Sequence, residues 1–245
     1  MESTVLFSLI ILVVAFFYAS VGHGGASGYL AVLALAGYSA GEMKSSALLL
    51  NILVSAIAFI QYYRQGYFRM HLLWPFAVTS IPFAFVGAHI PLQDHLYKII
   101  LAVCLVFAVA RLLGIFGRSD KSGDLRRLHL PSALLIGALI GFISGMIGIG
   151  GGILLSPLLL LLRWADMKQA ASISAGFIFL NSIAGLAGTF SSGPEISSSI
   201  YGWIIAAVIG GIAGAYSGSR KFDTAFLKYV LSSVLLFACV KLIIT

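Results

Sequence analysis

Two glycine clusters constrain this chain more than anything else in it. VGHGGASG, residues 21–28, breaks a stretch whose flanks are LIILVVAFFYAS and YLAVLALAGY, and IGIGGGIL, residues 147–154, repeats the break half a chain later. Those flanks leave no room for a loop solvated by water. The chain therefore has to interrupt a helix inside an apolar medium. Its longer apolar runs approach the roughly 20 residues that cross about 30 Å of hydrocarbon. With 60% hydrophobic and 9% charged residues, and a mean hydropathy of +1.05, it has too little polar surface for a soluble globule. A β-barrel would alternate polar and apolar residues, and runs such as LLIGALIGFISGMIGIG do not. The fold class is an all-α polytopic membrane protein.

The start, MESTVLFSLI, has no basic n-region and no clean small-residue cleavage pattern, so it reads as a retained first helix. Eight long apolar segments follow the chain, near 4–20, 44–62, 71–89, 96–114, 131–147, 170–189, 200–218 and 226–244. Two short ones, near 28–38 and 153–162, directly follow the glycine clusters. At 1.5 Å per residue such half-helices reach about 16 Å, half the hydrocarbon. The polar stretch 118–130, RSDKSGDLRRLHL, has the composition of a linker. It separates a first membrane repeat, 1–117, from a second, 131–245.

The halves align. A shift of 126 residues without a gap pairs Gly22, Gly24 and Gly25 with Gly148, Gly150 and Gly151. It also pairs Leu33 with Leu159, Tyr38 with Trp164, Ser46 with Ser172, and Ile57-Ala58 with Ile183-Ala184. Further on the offset drifts to 130, where Arg111 meets Lys241 and Phe107 meets Phe237. Internal duplication explains this best. If every segment crosses, each half crosses five times and the repeats are inverted, with the linker cytoplasmic. Then 12 of the 15 basic residues fall inside and only Lys44, Lys98 and Lys241 outside, as the positive-inside rule favours. Four crossings per half would make the repeats parallel and move Arg163, Lys168, Arg220, Lys221 and Lys228 outward.

A helix broken at membrane depth survives only beside protein or water. The break frees the N–H groups of the half-helix that follows, whose end carries about half a positive charge. Two such ends facing a shared midplane make an anion site. Isolated pairs such as Gly210/Gly214 and Gly214/Gly218 read instead as close helix packing.

In GFISGMIGIGGGILLSPLLLLL and AASISAGFIFLNSIAGLAG the second half resembles the sulfite exporter TauE/SafE family of membrane transporters. The first half is looser, with His23 and Ser27 where the second has Ile149 and Ile153. The resemblance spans essentially the whole chain. It implies movement of small sulfur-containing or organic anions, with the substrate differing among members.

The candidate substrate-binding residues are Gly22, His23, Gly24, Gly25 and Ser27 at the first break, and Gly148, Gly150, Gly151 and Gly152 at the second. Asn51, Ser55 and Asn181 join them, because Asn51 and Ser55 lie one turn apart and Ser55 aligns with Asn181. His23 is a hydrogen-bond donor, a proton carrier or a satisfied structural residue. Ser27 is a donor to substrate or a helix cap, and GGASG also admits an intramembrane serine hydrolase. The paired amides are helix glue or pathway lining, and Ser46 and Ser172 follow the same logic. Arg111 and Lys241 snorkel, and YYRQGYF (62–68) reads as an aromatic belt. Cys104 and Cys239 pack singly, and no metal spacing, nucleotide loop or cofactor signature is present.

The expectation is a secondary transporter, an exporter, in the cell inner membrane, and not an enzyme. It needs no cofactor and no metal. Its partners are a small anion, the bilayer, a coupling proton or other ion, and optionally a second copy in a homodimer. The net charge of +7 sits in short loops and signals orientation, not nucleic acid. A passive anion channel is the other alternative.

Overall fold

A computed structural model describes residues 2–90, 92–112, 125–191, 193, 196 and 199–220. These form helices α1 (Glu2–Ser20), α2 (Ala26–Leu35), α3 (Ala40–Arg64), α4 (Met70–Ala88), α5 (Asp94–Leu112), α6 (Leu130–Ile147), α7 (Gly152–Leu161), α8 (Met167–Phe190) and α9 (Ile200–Arg220), with no strand among the described residues. Five of them, α3, α4, α6, α8 and α9, are long and apolar enough to cross a membrane. The apolar parts of α1 and α5, Val5–Ser20 and His95–Cys104, fall short of that length. Of the eight long segments expected, five are found as full spans among the described residues. The eighth segment, with Cys239 and Lys241, lies outside the described residues, as do 113–117, 118–124 of the linker and the side chain of Arg111. The short segments appear as α2 and α7, ten residues each.

Local chemistry explains where the elements begin. α3 and α8 each open on a capping box. The hydroxyl of Ser39 accepts from the Glu42 N–H at 3.2 Å, and the Asp166 carboxylate accepts from the Gln169 N–H at 2.8 Å. α2 and α7 instead start after Gly25 and Gly151, whose φ angles of 99° and 77° suit glycine alone among common residues.

Close approach of backbones holds the helices together. On α9, Gly210, Gly214 and Gly218 lie against the carbonyls of Leu12, Phe16 and Ser20 on α1. On α6, Gly137, Gly141 and Gly145 lie against those of Phe76, Ser80 and Ala84 on α4. A Cβ at any of these six would fall within the 3.0 Å that real Cβ atoms avoid. Both pairs run parallel, since the contacts rise together in number. The Thr79 hydroxyl donates to the Leu134 carbonyl at 2.8 Å, locking the second pair. α3 and α8 cross through the middle in opposite directions: Leu48 meets Gly185, Asn51 meets Ser182, and Phe59 meets Gly176. The outer faces stay apolar and exposed, as at Leu9 and Val13, Leu135 and Leu139, or Ile205 and Ile209. Such faces suit lipid.

Gly141→Val and Gly214→Val should each lower the melting temperature of the detergent-purified protein by several degrees, for an overpacking cost of about 1–3 kcal/mol. Gly202→Ala, which meets only the Ser8 hydroxyl at 3.4 Å, should leave it unchanged or slightly raised. Equal melting of all three variants would show that the bundle does not rest on these stripes.

Candidate functional site

The first break begins where α1 ends. The N–H groups of Gly22 and His23 donate back to Ala19 and Tyr18 at 3.1 and 2.9 Å, closing the last turn. Gly24 and Gly25 then carry the chain into α2. At the second break Gly148 donates to Ser144 at 2.7 Å, and the chain passes through Ile149, Gly150 and Gly151 into α7. Each break seats against the opposite half. A Cβ on Gly22 would strike Ala171 of α8, and one on Gly148 would press on Lys44 of α3.

Both breaks converge on one side chain. Asn51 is buried on α3, and a Cβ on Gly24 would land on its amide oxygen while one on Gly150 would land on its amide nitrogen. That oxygen accepts the N–H of Ala26, the first residue of α2, at 3.1 Å. The nitrogen donates to Ser182 Oγ on α8 at 2.8 Å. Asn51 thus satisfies one of the donors that the first break frees. The start of α7 has no side-chain cap.

His23 reaches from the first break to the second half-helix. Its Nδ1–H donates to the Val21 carbonyl at 3.0 Å, which leaves Nε2 to accept from Ser156 Oγ at 3.0 Å. Ser156 lies 2.6 Å from Ser174 on α8. A proton on Nε2 would reverse this hydroxyl chain without breaking it.

The remaining sequence candidates sit elsewhere. Ser27 is buried with its hydroxyl 2.8 Å from that of Tyr18, and it caps nothing. Ser55 bonds the Ile52 carbonyl of its own helix at 3.3 Å. Asn181 turns toward α4, donating to Ser80 Oγ at 2.9 Å and to the Phe177 carbonyl at 2.8 Å. The three residues thus do not meet one another. Because α3 and α8 cross antiparallel, the residue opposite Asn51 is Ser182, and its neighbour Asn181 points about 100° away. The hydroxyls of Ser46 and Ser172, the amide oxygen of Asn181 and the hydroxyl of Tyr29 are buried with no hydrogen-bond partner among the described residues.

Ser156, Ser174 and Ser182 escaped the sequence reading, since their aligned counterparts Leu30, Leu48 and Ala56 are apolar. Two lysines also did more than set orientation. Lys44 donates to the Ala88 carbonyl at 2.9 Å, and Lys168 to the Gly218 carbonyl at 2.8 Å. Ala88 and Gly218 differ by the offset of 130. Each lysine thus ties the start of one long helix to the C-terminal end of another in its own half, where the helix dipole favours a cation. Lys168 also lies over the rings of Tyr62 and Tyr67, within 6 Å of each centroid. Tyr62, expected in an aromatic belt, is buried and donates to the Ser20 carbonyl at 2.8 Å. No group of three or more His, Cys, Asp or Glu residues able to hold a metal occurs among the described residues.

The pattern of the family described as sulfite exporter TauE/SafE matches residues 7–242. A protein of Sinorhizobium fredii, "Probable membrane transporter protein y4hK", is 34% identical over 237 residues, 94% of each chain. Another, of Methanocaldococcus jannaschii, "Probable membrane transporter protein MJ0441", is 41% identical over 76 residues, covering 31% of this chain and 28% of its own. No solved structure matches the chain.

Asn51→Leu keeps the volume but strands the Ala26 N–H and Ser182 Oγ. It should cost about 1–3 kcal/mol, read as a lower melting temperature. A double Asn51→Leu/Ser182→Ala variant should recover part of that loss, because one of the stranded groups is gone. No recovery would mean that the Asn51–Ser182 bond carries no coupling.

Proposed function

The chain belongs to the sulfite exporter TauE/SafE family of membrane transporters, and from that premise we propose a secondary exporter of small sulfur-containing or organic anions, such as sulfite or a sulfonate. One observation carries the reading: two glycine-broken helices meet on one buried amide, Asn51. Its oxygen occupies at Ala26 the position that an oxygen of a bound anion would take. Displacing it frees that N–H and turns the amide nitrogen toward the guest. The uncapped start of α7 supplies the other half of the site, and the two helix ends together favour negative charge. Gly22, Gly24 and Gly25, with Gly148 and Gly150 to Gly152, form the walls. Ser27, Ser55 and Asn181, engaged with Tyr18, Ile52 and Ser80, are not part of those walls.

The two halves act as inverted repeats. The antiparallel crossing of α3 and α8 supports this, as do the reciprocal pairs α1–α9 and α4–α6 and the paired lysine ties. Both termini face outward and the linker faces the cytoplasm, in the cell inner membrane. Transport rocks one part of the bundle against the other around the breaks. An anion leaving the cell is favoured by about 2.3 kcal/mol per 100 mV of potential. A proton moving on and off His23 through Ser156 and Ser174 provides coupling. The pairing of Ser27 with Tyr18, and not with an imidazole, supports transport over serine hydrolysis.

In proteoliposomes the parent should show saturable sulfite or sulfonate exchange, which separates it from a passive channel. Asn51→Asp places a fixed negative charge where the guest belongs and should reduce exchange at least tenfold with the fold retained. Exchange at the parental rate in Asn51→Asp would move the site elsewhere.

His23→Gln keeps a donor of similar size but cannot titrate. Its exchange should lose most of the parent's pH dependence between roughly 5.5 and 8. An unchanged profile would leave His23 as a structural latch between the two breaks.

A further inference from the structure

A cavity of about 560 Å³ lies at the far end of α7 from its glycine break, between the end of the linker, the first turn of α4 and the turn joining α7 to α8. Arg69, Arg126 and Arg127 line it with His71, and Trp74 and Trp164 are part of its wall. Among the described residues no carboxylate lines it. Asp166, on the adjoining turn, is already engaged in capping α8. The backbone of Arg126 donates to the Arg163 carbonyl at 2.8 Å, which pins the linker to that turn. Arg163 has a φ of 58°, the left-handed geometry that its aligned residue Gly37 adopts at 80°.

The equivalent turn of the first half has its own cavity, and the contrast is informative. Tyr38, aligned with Trp164, lines a space of about 280 Å³ together with Glu42, Phe7 and Trp203. Among the described residues that cavity holds a carboxylate and no arginine. Equivalent turns thus make two cavities of opposite charge character, so the fold alone does not impose the arginines. All three arginines are exposed, and Arg69 also donates to the Gly66 and Phe68 carbonyls at 3.5 and 3.4 Å; a guanidinium matches an oxyanion through bidentate hydrogen bonds. Exposed Leu125 and Leu130 and half-exposed Trp74 add apolar surface at the rim.

We propose that this cavity is a second binding site, for an amphiphilic anion. Its phosphate, sulfonate or carboxylate head sits on Arg126, Arg127 and Arg69, and its apolar body lies along Trp74, Trp164 and Leu130. The site is independent of the glycine breaks and of the transport reading. A membrane phospholipid and a free organic sulfonate share this chemistry.

Three ligands test it on the whole chain purified in an uncharged detergent: octanesulfonate, dioctanoyl phosphatidylglycerol and uncharged dioctanoylglycerol. Binding is followed by calorimetry and by tryptophan emission, since two of the three tryptophans line the cavity. At least one of the anions should bind saturably and the uncharged lipid should not. Arg126→Gln/Arg127→Gln should weaken that binding at least tenfold. Arg69→Gln, the milder change should the double variant melt early, should weaken it severalfold. Arg64→Gln, an exposed charge away from the cavity, should not change it. Phosphatidylglycerol binding alone identifies a lipid as the occupant, and octanesulfonate binding alone identifies a soluble anion. Failure of both anions to bind, equal binding of the uncharged lipid, or undiminished binding to the arginine variants would each overturn the proposal.

Discussion

Lipid offers no hydrogen bonds, so every backbone group released inside the membrane must find its partner within the protein. Two helix breaks release several at once, and the middle of the bundle is arranged to receive them. Asn51 takes one donor at Ala26 and hands a donor to Ser182, which joins the first break to both long central helices. His23 joins the same break to α7 through Ser156. A buried group left unpaired costs about 1–3 kcal/mol. Two polar side chains therefore hold together a region that apolar packing alone could not close.

The outer helices solve a different problem. Between helices in lipid there is little hydrophobic drive, and association depends on close packing and on hydrogen bonds. The glycine stripes of α6 and α9 let backbone touch backbone, and Thr79 adds a bond across one of the pairs. Lys44 and Lys168 donate to the Ala88 carbonyl of α4 and the Gly218 carbonyl of α9. At Ala88 the end of α4 itself supplies negative charge for the ammonium of Lys44.

Much of the fold could be read from the residues. The breaks were legible because four glycines in an apolar run have few other uses, and the half-helices fell within two residues of their expected starts. The stripe Gly210, Gly214 and Gly218 was legible by spacing. Gly137, Gly141 and Gly145 were not, since they sit in the run that leads into the second cluster. The site was read only in part. Asn51 was singled out together with Ser55, one turn along its own helix, but no partner across the bundle could be named. The true partner, Ser182, lies 131 residues away, and helix periodicity carries no information about which helix crosses which. Ser156 and Ser174 were invisible for a related reason: a duplication directs attention to matched positions, and these match leucines.

A side chain that lies between two related breaks can come from only one of them. Asn51 belongs to the first half, and its aligned position in the second is Phe177. His23 has Ile149 as its counterpart. Two identical halves would make the two end states of a rocking bundle degenerate in energy, each filled half of the time. In the proposed rocking cycle the very residues that close the breaks would lift that degeneracy. A difference of about 1.4 kcal/mol between those states would already set a tenfold ratio of occupancies. On the proposed mechanism the resting protein would have a preferred facing, set by which half donated the amide.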